Sequence, residues 1–368
     1  MIDKIKSMDK KLLIYLGIGI GSIFLILILL LILKISVGSS ITSKQFESRL
    51  KDSAKKYCKN EKNKLPEKNG DKISITIDEL VDEGYIKDPE KLLKKDVTCQ
   101  GQVNVSNNNG YYIYQPVIKC SDGYKTDLLA NKIIKDNPIK TSGDGLYKVN
   151  NGYLFRGEFL NNYVKFIGKT WRIVRINKDK SIRIILEDSI DSVPWDNRYN
   201  IDHNDSIGKN DFEVSRIKQT LNDYFNNKRG KLFKKEDKAL IVPTELCIGG
   251  RNVNSLAMDG YIECSKKSTE RLPIGLLQVN EYPIVSLDPN CTSLDAKSCK
   301  NYNYLAKLGT YWTITPDPTT TYNVYRIDNR IESIYTNAYS QPKFVVNITG
   351  DVLYHKGDGT IKKPYIIK

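Results

Sequence analysis

Two histidines, His203 and His355, are the only imidazoles in 368 residues. A Ser–His–Asp or Cys–His hydrolase needs a positioned imidazole base. His203 lies in the polar run DNRYNIDHNDSIG, and His355 lies in a turn ahead of GDGT. Both read as surface-loop residues. The run around His203 also carries Asp196, Asp202, Asn204 and Asp205, hard oxygen donors of the kind Ca²⁺ takes. Their spacing fits no EF-hand, because Gly208 falls too late and no glutamate closes the loop. A solvated, turn-rich loop is favoured, with calcium the one cofactor left open and no residue assigned to catalysis. Gly357, Asp358, Gly359 and Thr360 lack the GK[ST] and following helix of a phosphate loop and read as a hairpin turn.

Seven cysteines offer a second chemistry. None sits in C-x-x-C spacing, so a zinc or thioredoxin-type site has little support. Cys99 and Cys120 bracket a strand–turn–strand pattern that brings them together across a hairpin. Cys247 with Cys264 and Cys291 with Cys299 are the expected local pairs, leaving Cys58 either inert and buried or linking two chains. An aromatic-rich stretch holds Tyr302, Tyr304, Tyr311, Trp312, Tyr322 and Tyr325. Tyr311 and Trp312 fall in a strand-like run and are expected in the core. The loop from Pro316 to Tyr322 is the expected contact surface, with Pro316, Asp317 and Tyr322 as its ligand-binding candidates.

Stepping outward, the run Leu12–Leu33 contains no charged residue. As a helix it would rise about 33 Å, enough to cross a hydrocarbon core of roughly 30 Å. Lys4, Lys6, Lys10 and Lys11 precede it, which predicts a cytoplasmic N-terminus and an extracellular remainder. SVGSS at Ser36–Ser40 offers a signal-peptidase alternative, but the run is longer than a signal core, which favours an uncleaved anchor. Cysteines in an exported chain are expected to pair. The net charge of +14 is spread over both halves. It suits anionic wall polymers, lipid headgroups or acidic glycans, and no aromatic–basic motif points to nucleic acid.

Beyond the anchor, Phe46, Leu50, Ala54 and Tyr57 repeat at helical spacing as an amphipathic stem. ISITI (Ile73–Ile77) alternates as a strand. IDELVDEGYI follows as a helix with Asp78 as its expected N-cap and Gly84 as its stop. With the cysteine-bracketed hairpin they make a small α+β unit. Residues 128–149 carry Pro138 and two late glycines and read as a linker or an irregular entry strand. YLFRGEF, NYVKFIGKTWRIVRIN and KSIRIILEDSI then read as three β-rich runs of an antiparallel meander. FEVSRIKQTLNDYFNNK switches to helical spacing, with Ser215 near its start.

The apolar helix running into YCKNEKNKLP, then ITIDELVDEGYIKDP and a C…C hairpin ending in YKT, resembles pilin-like and pseudopilin-like surface proteins of Gram-positive bacteria. The resemblance covers residues 8–127. It lacks the Gly-Phe-Thr-Leu-Ile-Glu type processing motif and the glutamate pilins use inside the helix. KFIGKTWRIVRIN, the S-x-I…LNDYFN helix, YWTITP and GDGT…PYII resemble an uncharacterised bacterial surface domain. That domain is distantly similar to C-type-lectin-like and formylglycine-generating-enzyme-like folds, over residues 150–368. Gln341 and Lys343 flank Pro342 where relatives have Arg-Pro-Val, and Lys363 replaces an asparagine. Formylglycine-generating enzymes bind copper through cysteine thiolates, whereas the cysteines here lie in loop-rich contexts that favour disulfides.

The expected architecture is therefore α+β: a cytoplasmic N-terminus (1–11), a transmembrane helix (12–34), a pilin-like stem (35–127), a linker (128–149) and a β-rich lectin-like domain (150–368). The expected function is non-catalytic adhesion to, or recognition of, a glycan, wall polymer or protein. A pilus-like or secretion-apparatus component and an extracytoplasmic enzyme are the alternatives. The lipid bilayer is the expected partner of the N-terminal run.

Overall fold

The computed structural model describes residues 40–108, 110–252 and 264–367. Among these no helix is long and apolar enough to cross a membrane. The run Leu12–Leu33, read above as an anchor, lies outside the described residues. The elements are mixed α and β, and the chain divides into two compact units. One takes the described residues up to Asn60 with Ile75–Val103 and Pro116–Lys125; the other takes Glu61–Ser74, Asn104–Gln115 and Thr126–Lys368.

In the first unit, α1 (Ser43–Asn60) buries Phe46, Leu50, Ala54, Tyr57 and Cys58 along one face, as the helical spacing predicts. Tyr57 donates to Glu79 Oε1 at 2.8 Å and meets the Tyr85 ring edge-on at 5.1 Å. Helix α2 (Ile77–Asp82) is capped two residues earlier than expected. Thr76, not Asp78, accepts from the Glu79 N–H, because Thr76 is the residue with extended backbone at the helix start. A short α3 (Pro89–Leu92) is capped by Asp88. Strands β1 (Lys72–Thr76), β2 (Cys99–Asn108) and β3 (Tyr111–Cys120) form a sheet in the order β1-β2-β3. The Cys99–Cys120 disulfide closes the base of its hairpin.

Residues 128–149 are part of the second unit's fold, not a linker. They form α4 (Leu129–Asp136), with Leu129, Ala130 and Ile133 buried, and β4 (Gly145–Val149), which pairs along its length with β5 (Gly152–Arg156). Buried positions one and four residues apart already define a helix face, which Pro138 and the surrounding lysines obscure in the sequence. NYVKFIGKTWRIVRIN likewise makes two strands, β6 (Tyr163–Phe166) and β7 (Lys169–Asn177), because Ile167 and Gly168 turn through positive φ of 50° and 73°. β8 (Ile182–Leu186) is buried throughout.

The principal sheet has seven strands. Its path is β16-β8-β7-β5-β4, with β6 on β7 and β17 (Tyr365–Ile366) parallel to β6; β16 is Val345–Ile348. β9 (Val193–Pro194) pairs with β15 (Tyr339–Ser340), and β10 (Thr244–Cys247) pairs with β11 (Lys267–Leu272). β12 (Tyr311–Pro316), β13 (Asn323–Ile327) and β14 (Ile331–Tyr335) form an antiparallel sheet. Helix α5 (Arg216–Phe225) starts at Ser215, whose hydroxyl caps the Lys218 N–H, and buries Ile217, Leu221 and Tyr224. Short helices α6 (Lys235–Ala239) and α7 (Glu281–Ile284) complete the unit.

Tyr311 and Trp312 are fully buried, as their strand position implies. The Trp312 indole donates to the Val193 carbonyl at 2.7 Å, and the Trp195 indole donates to the Thr313 carbonyl at 3.1 Å. These reciprocal bonds fix the segment before residues 196–210 against β12.

Candidate functional site

The acidic loop after Trp195 is built inward, around Asp196. Its carboxylate is wholly buried and is gripped by Arg198, Nε to Oδ1 at 2.9 Å and Nη2 to Oδ2 at 3.0 Å. The Lys209 and Arg216 backbone N–H groups donate to the same carboxylate at 2.9 and 3.3 Å. Gly208, at φ +72°, lies so close that a Cβ would sit 2.4 Å from the Asp196 carbonyl oxygen. Asp196 thus organises the loop from inside it.

The remaining calcium candidates are turned to other work. Asp202 is exposed and pairs with Lys209 Nζ at 2.8 Å, which holds its carboxyl below the usual carboxylate range. Asn204 takes positive φ and accepts from the Tyr199 hydroxyl. Asp205 accepts from the Ser206 N–H. No group of three or more His, Cys, Asp or Glu side chains among the described residues is placed to hold a metal ion. The oxygen donors of this loop meet protein cations, N–H groups and a hydroxyl.

The second predicted loop, Pro316–Tyr322, is fastened to the first by Asn210. Its N–H donates to the Thr321 carbonyl at 2.9 Å, and its side-chain NH₂ lies 3.1, 2.8 and 2.8 Å from the carbonyls of Asp317, Thr320 and Asn323. Asp317 is buried and accepts from the Thr319 N–H and hydroxyl and from the Ser333 hydroxyl. Burial pushes its carboxyl up, but those hydrogen bonds prevail and hold it below the ordinary value. Asp317 therefore shapes the loop from within. Pro316 is half-buried at the end of β12.

Tyr322 is where the loops present a surface. Its ring stacks on Tyr335 at 5.5 Å and meets His203 edge-on at 4.5 Å, while His203 Nε2 lies 3.3 Å from the Thr321 hydroxyl. The turn after β14 is tied to the acidic loop by Asp196 N–H to the Thr336 carbonyl at 2.9 Å and Asn337 Nδ2 to the Ser206 carbonyl at 3.3 Å. Tyr335 and Tyr339, at the two ends of that turn, are 53% and 65% exposed; Tyr199 and Ile201 on the acidic loop are 61% and 78% exposed. Aromatic faces held at fixed spacing beside hydroxyls and amides can stack on sugar rings or anchor a protein partner. Tyr199, Ile201, Tyr335 and Tyr339 were not legible as site residues. Tyr335 ends an ordinary alternating strand, and nothing in the sequence says that its neighbour will be Tyr322.

The cysteines carry no reactive cluster among the described residues. Cys99–Cys120, Cys247–Cys264 and Cys291–Cys299 are disulfides, and Cys58 is buried outside them. Asp358 accepts from the Thr360 N–H and the Lys363 N–H donates to the Thr360 carbonyl, so the GDGT segment bends locally; it closes no hairpin, because β17 after it pairs in parallel with β6.

Comparison with family models, with curated proteins and with solved structures gives no match. Any function has to be argued from the surface just described.

Proposed function

We propose that the protein is a membrane-anchored bacterial surface protein whose second unit recognises a glycan, wall polymer or surface protein without catalysis. Leu12–Leu33 would be the anchor, with the pilin-like stem and lectin-like domain outside the membrane. The observation that carries the proposal is the exposed set Tyr199, Tyr335 and Tyr339 around the half-buried Tyr322, on loops cross-linked by the Asn210 side chain and the Asp196 N–H. Exposed aromatics usually lose entropy when they are ordered on binding; here the backbone beneath them is already fixed, which lowers that cost.

The test is a binding screen of the full chain in detergent against glycans and purified wall polymers, with and without calcium. A polymer that binds should lose most of its affinity to a Tyr322→Ala/Tyr335→Ala double variant of unchanged thermal stability. Absence of binding to every polymer, or binding indifferent to that variant, counts against recognition through this surface.

A further inference from the structure

On one face of the principal sheet a polar row crosses β7, β8 and β16. Between β7 and β8, Ile173 faces Ile184 and Ile176 faces Ile182, but the register slips at Val174, so that Arg175 stands opposite Arg183. In an unbroken ladder Arg175 would face Ile182, on the other side of the sheet from Arg183. The bulge brings both guanidiniums to the same face. Asn347 of β16 lies opposite Arg183 and extends the row. Both arginines are about nine-tenths buried, at 8% and 9% exposure.

One carboxylate serves both. Glu281, 1% exposed, takes two hydrogen bonds from Arg183, at 2.7 and 2.8 Å, and its charge also acts on Arg175. Burial works to raise the Glu281 carboxyl, yet Arg183 holds it below its ordinary value, so it stays ionised. Like charges directly opposed on paired strands are destabilising, and burial removes the water that would screen them. The isoleucine pairs that flank it along the strands point to the opposite face of the sheet, so the arginine pair is a charged row on the other face.

The row forms the floor of a cleft of about 510 Å³, with Lys178, Lys267 and Arg271 around it. Its carboxylates are Asp179, which accepts from Ser181, and Glu245, which pairs with Lys267 at 2.9 Å. With Glu281 behind the floor, five cations stand against three carboxylates. A second pocket of about 180 Å³ adjoins at Cys247 and Gln278 and is lined by Asn280. Asn280 is 1% exposed, and its side-chain NH₂ meets no hydrogen-bond partner among the described residues. A buried donor in that state costs free energy that an acceptor supplied by a ligand would recover.

We propose that this cleft is an anion site for a phosphate group carried on a sugar or polyol. The paired guanidiniums offer planar, fixed donors to phosphate oxygens. The excess of two positive charges matches one phosphate monoester or two neighbouring diesters, whereas a single carboxylate would leave one charge unanswered. The volume accommodates the attached sugar or polyol. The amides of Gln278, Asn280 and Asn347 suit its hydroxyls. The site is independent of the tyrosine surface and does not rest on it.

Calorimetric titration of the full chain in detergent tests this, with sn-glycerol 3-phosphate, a poly(glycerol phosphate) and glucuronate as probes. Saturable phosphate binding that weakens with ionic strength is expected. Arg175→Gln should lower affinity about tenfold or more, and glucuronate should bind at least about tenfold more weakly than the phosphate. Binding of both phosphate probes marks a discrete phosphate as the ligand; binding of the polymer alone marks a repeating diester. Should Arg175→Gln fail to fold, the rim pair Lys267→Ala/Arg271→Ala must show the loss instead. The proposal is overturned if neither phosphate probe binds at concentrations on the order of 10 mM. It is equally overturned if glucuronate binds as well as phosphate, or if a folded variant binds as tightly as the unsubstituted chain.

Discussion

Arg198 and Asp196 form a two-pronged ion pair in which the carboxylate is fully buried and the guanidinium reaches solvent. The pair sits under the loop that carries Tyr199, Ile201 and His203, so its strength and the order of that surface are linked. Removing one partner of a buried pair leaves an uncompensated charge or orphaned donors. Asp196→Ala should lower stability by about 2–4 kcal/mol, because Arg198 is rehydrated while the Lys209 and Arg216 N–H groups lose their acceptor. Denaturant melts of the two chains measure this. Adding calcium or a chelator should leave the melting temperature of either chain unchanged, since the oxygen donors of this loop are occupied by protein groups.

Asn210 supports a different prediction. One side chain there spans three carbonyls of the 317–323 segment. Asn210→Ala should therefore cost about 1–3 kcal/mol and raise hydrogen exchange in residues 317–323 before it changes exchange in β7 or β8. Asn210→Asp should be worse than alanine, because it turns an acceptor charge onto three carbonyl oxygens. Equal exchange in the loop of all three chains would show that Asn210 does not hold it.

How much of this was legible beforehand follows the range of each interaction. The hairpin disulfide and the two local pairs depend on cysteines 21, 17 and 8 residues apart, and their surroundings signalled turns. Helix α5 declared itself through Ser215 and the spacing of Ile217 and Leu221. Leu129, Ala130 and Ile133 escaped because the polar residues between them read as linker until the sheet beneath them is known. Asp196 and Asp317 stand out in sequence as oxygen donors, but the partners they find in the fold were hidden there, because these include Arg216 and Ser333, 20 and 16 residues away. The slip at Val174 is a property of two strands together. No pattern within RIVRIN foretells that Arg175 will share a face with Arg183.

The disulfides make a thiol prediction. Native protein should react with no equivalent of a bulky thiol reagent, and denatured but unreduced protein with one, at Cys58. Reduction should add six more and lower stability by about 3 kcal/mol for each of the two longer loops, from chain entropy. Two or more thiols in the denatured, unreduced chain would contradict the pairing.

Lys343 gives a pH dependence whose sign can be worked out. Its side chain is almost wholly buried, 1% exposed, and Nζ donates to the carbonyls of Glu187 and Asp188 at 2.7 and 3.0 Å. Burial pushes the ammonium down to about 8 from 10.5, against the opposing charges of Glu187 and Asp188. Burial also raises the Glu187 carboxyl, with Arg172 working against the rise. For a lysine whose folded value lies below its unfolded value, the unfolded chain binds more protons between the two. Stability from this group is therefore greatest above the unfolded value of 10.5, falls as pH drops through the window to about 8, and is level below it. The span corresponds to about 3 kcal/mol at full effect. Other lysines and tyrosines titrate in the same window, so the quantity to measure is the stability of the unsubstituted chain minus that of Lys343→Met, from urea melts across it. That difference should rise with pH between about 8 and 10.5. A flat difference would mean that Lys343 is charged in the fold at no cost, with the Glu187 and Asp188 carbonyls fully replacing its water.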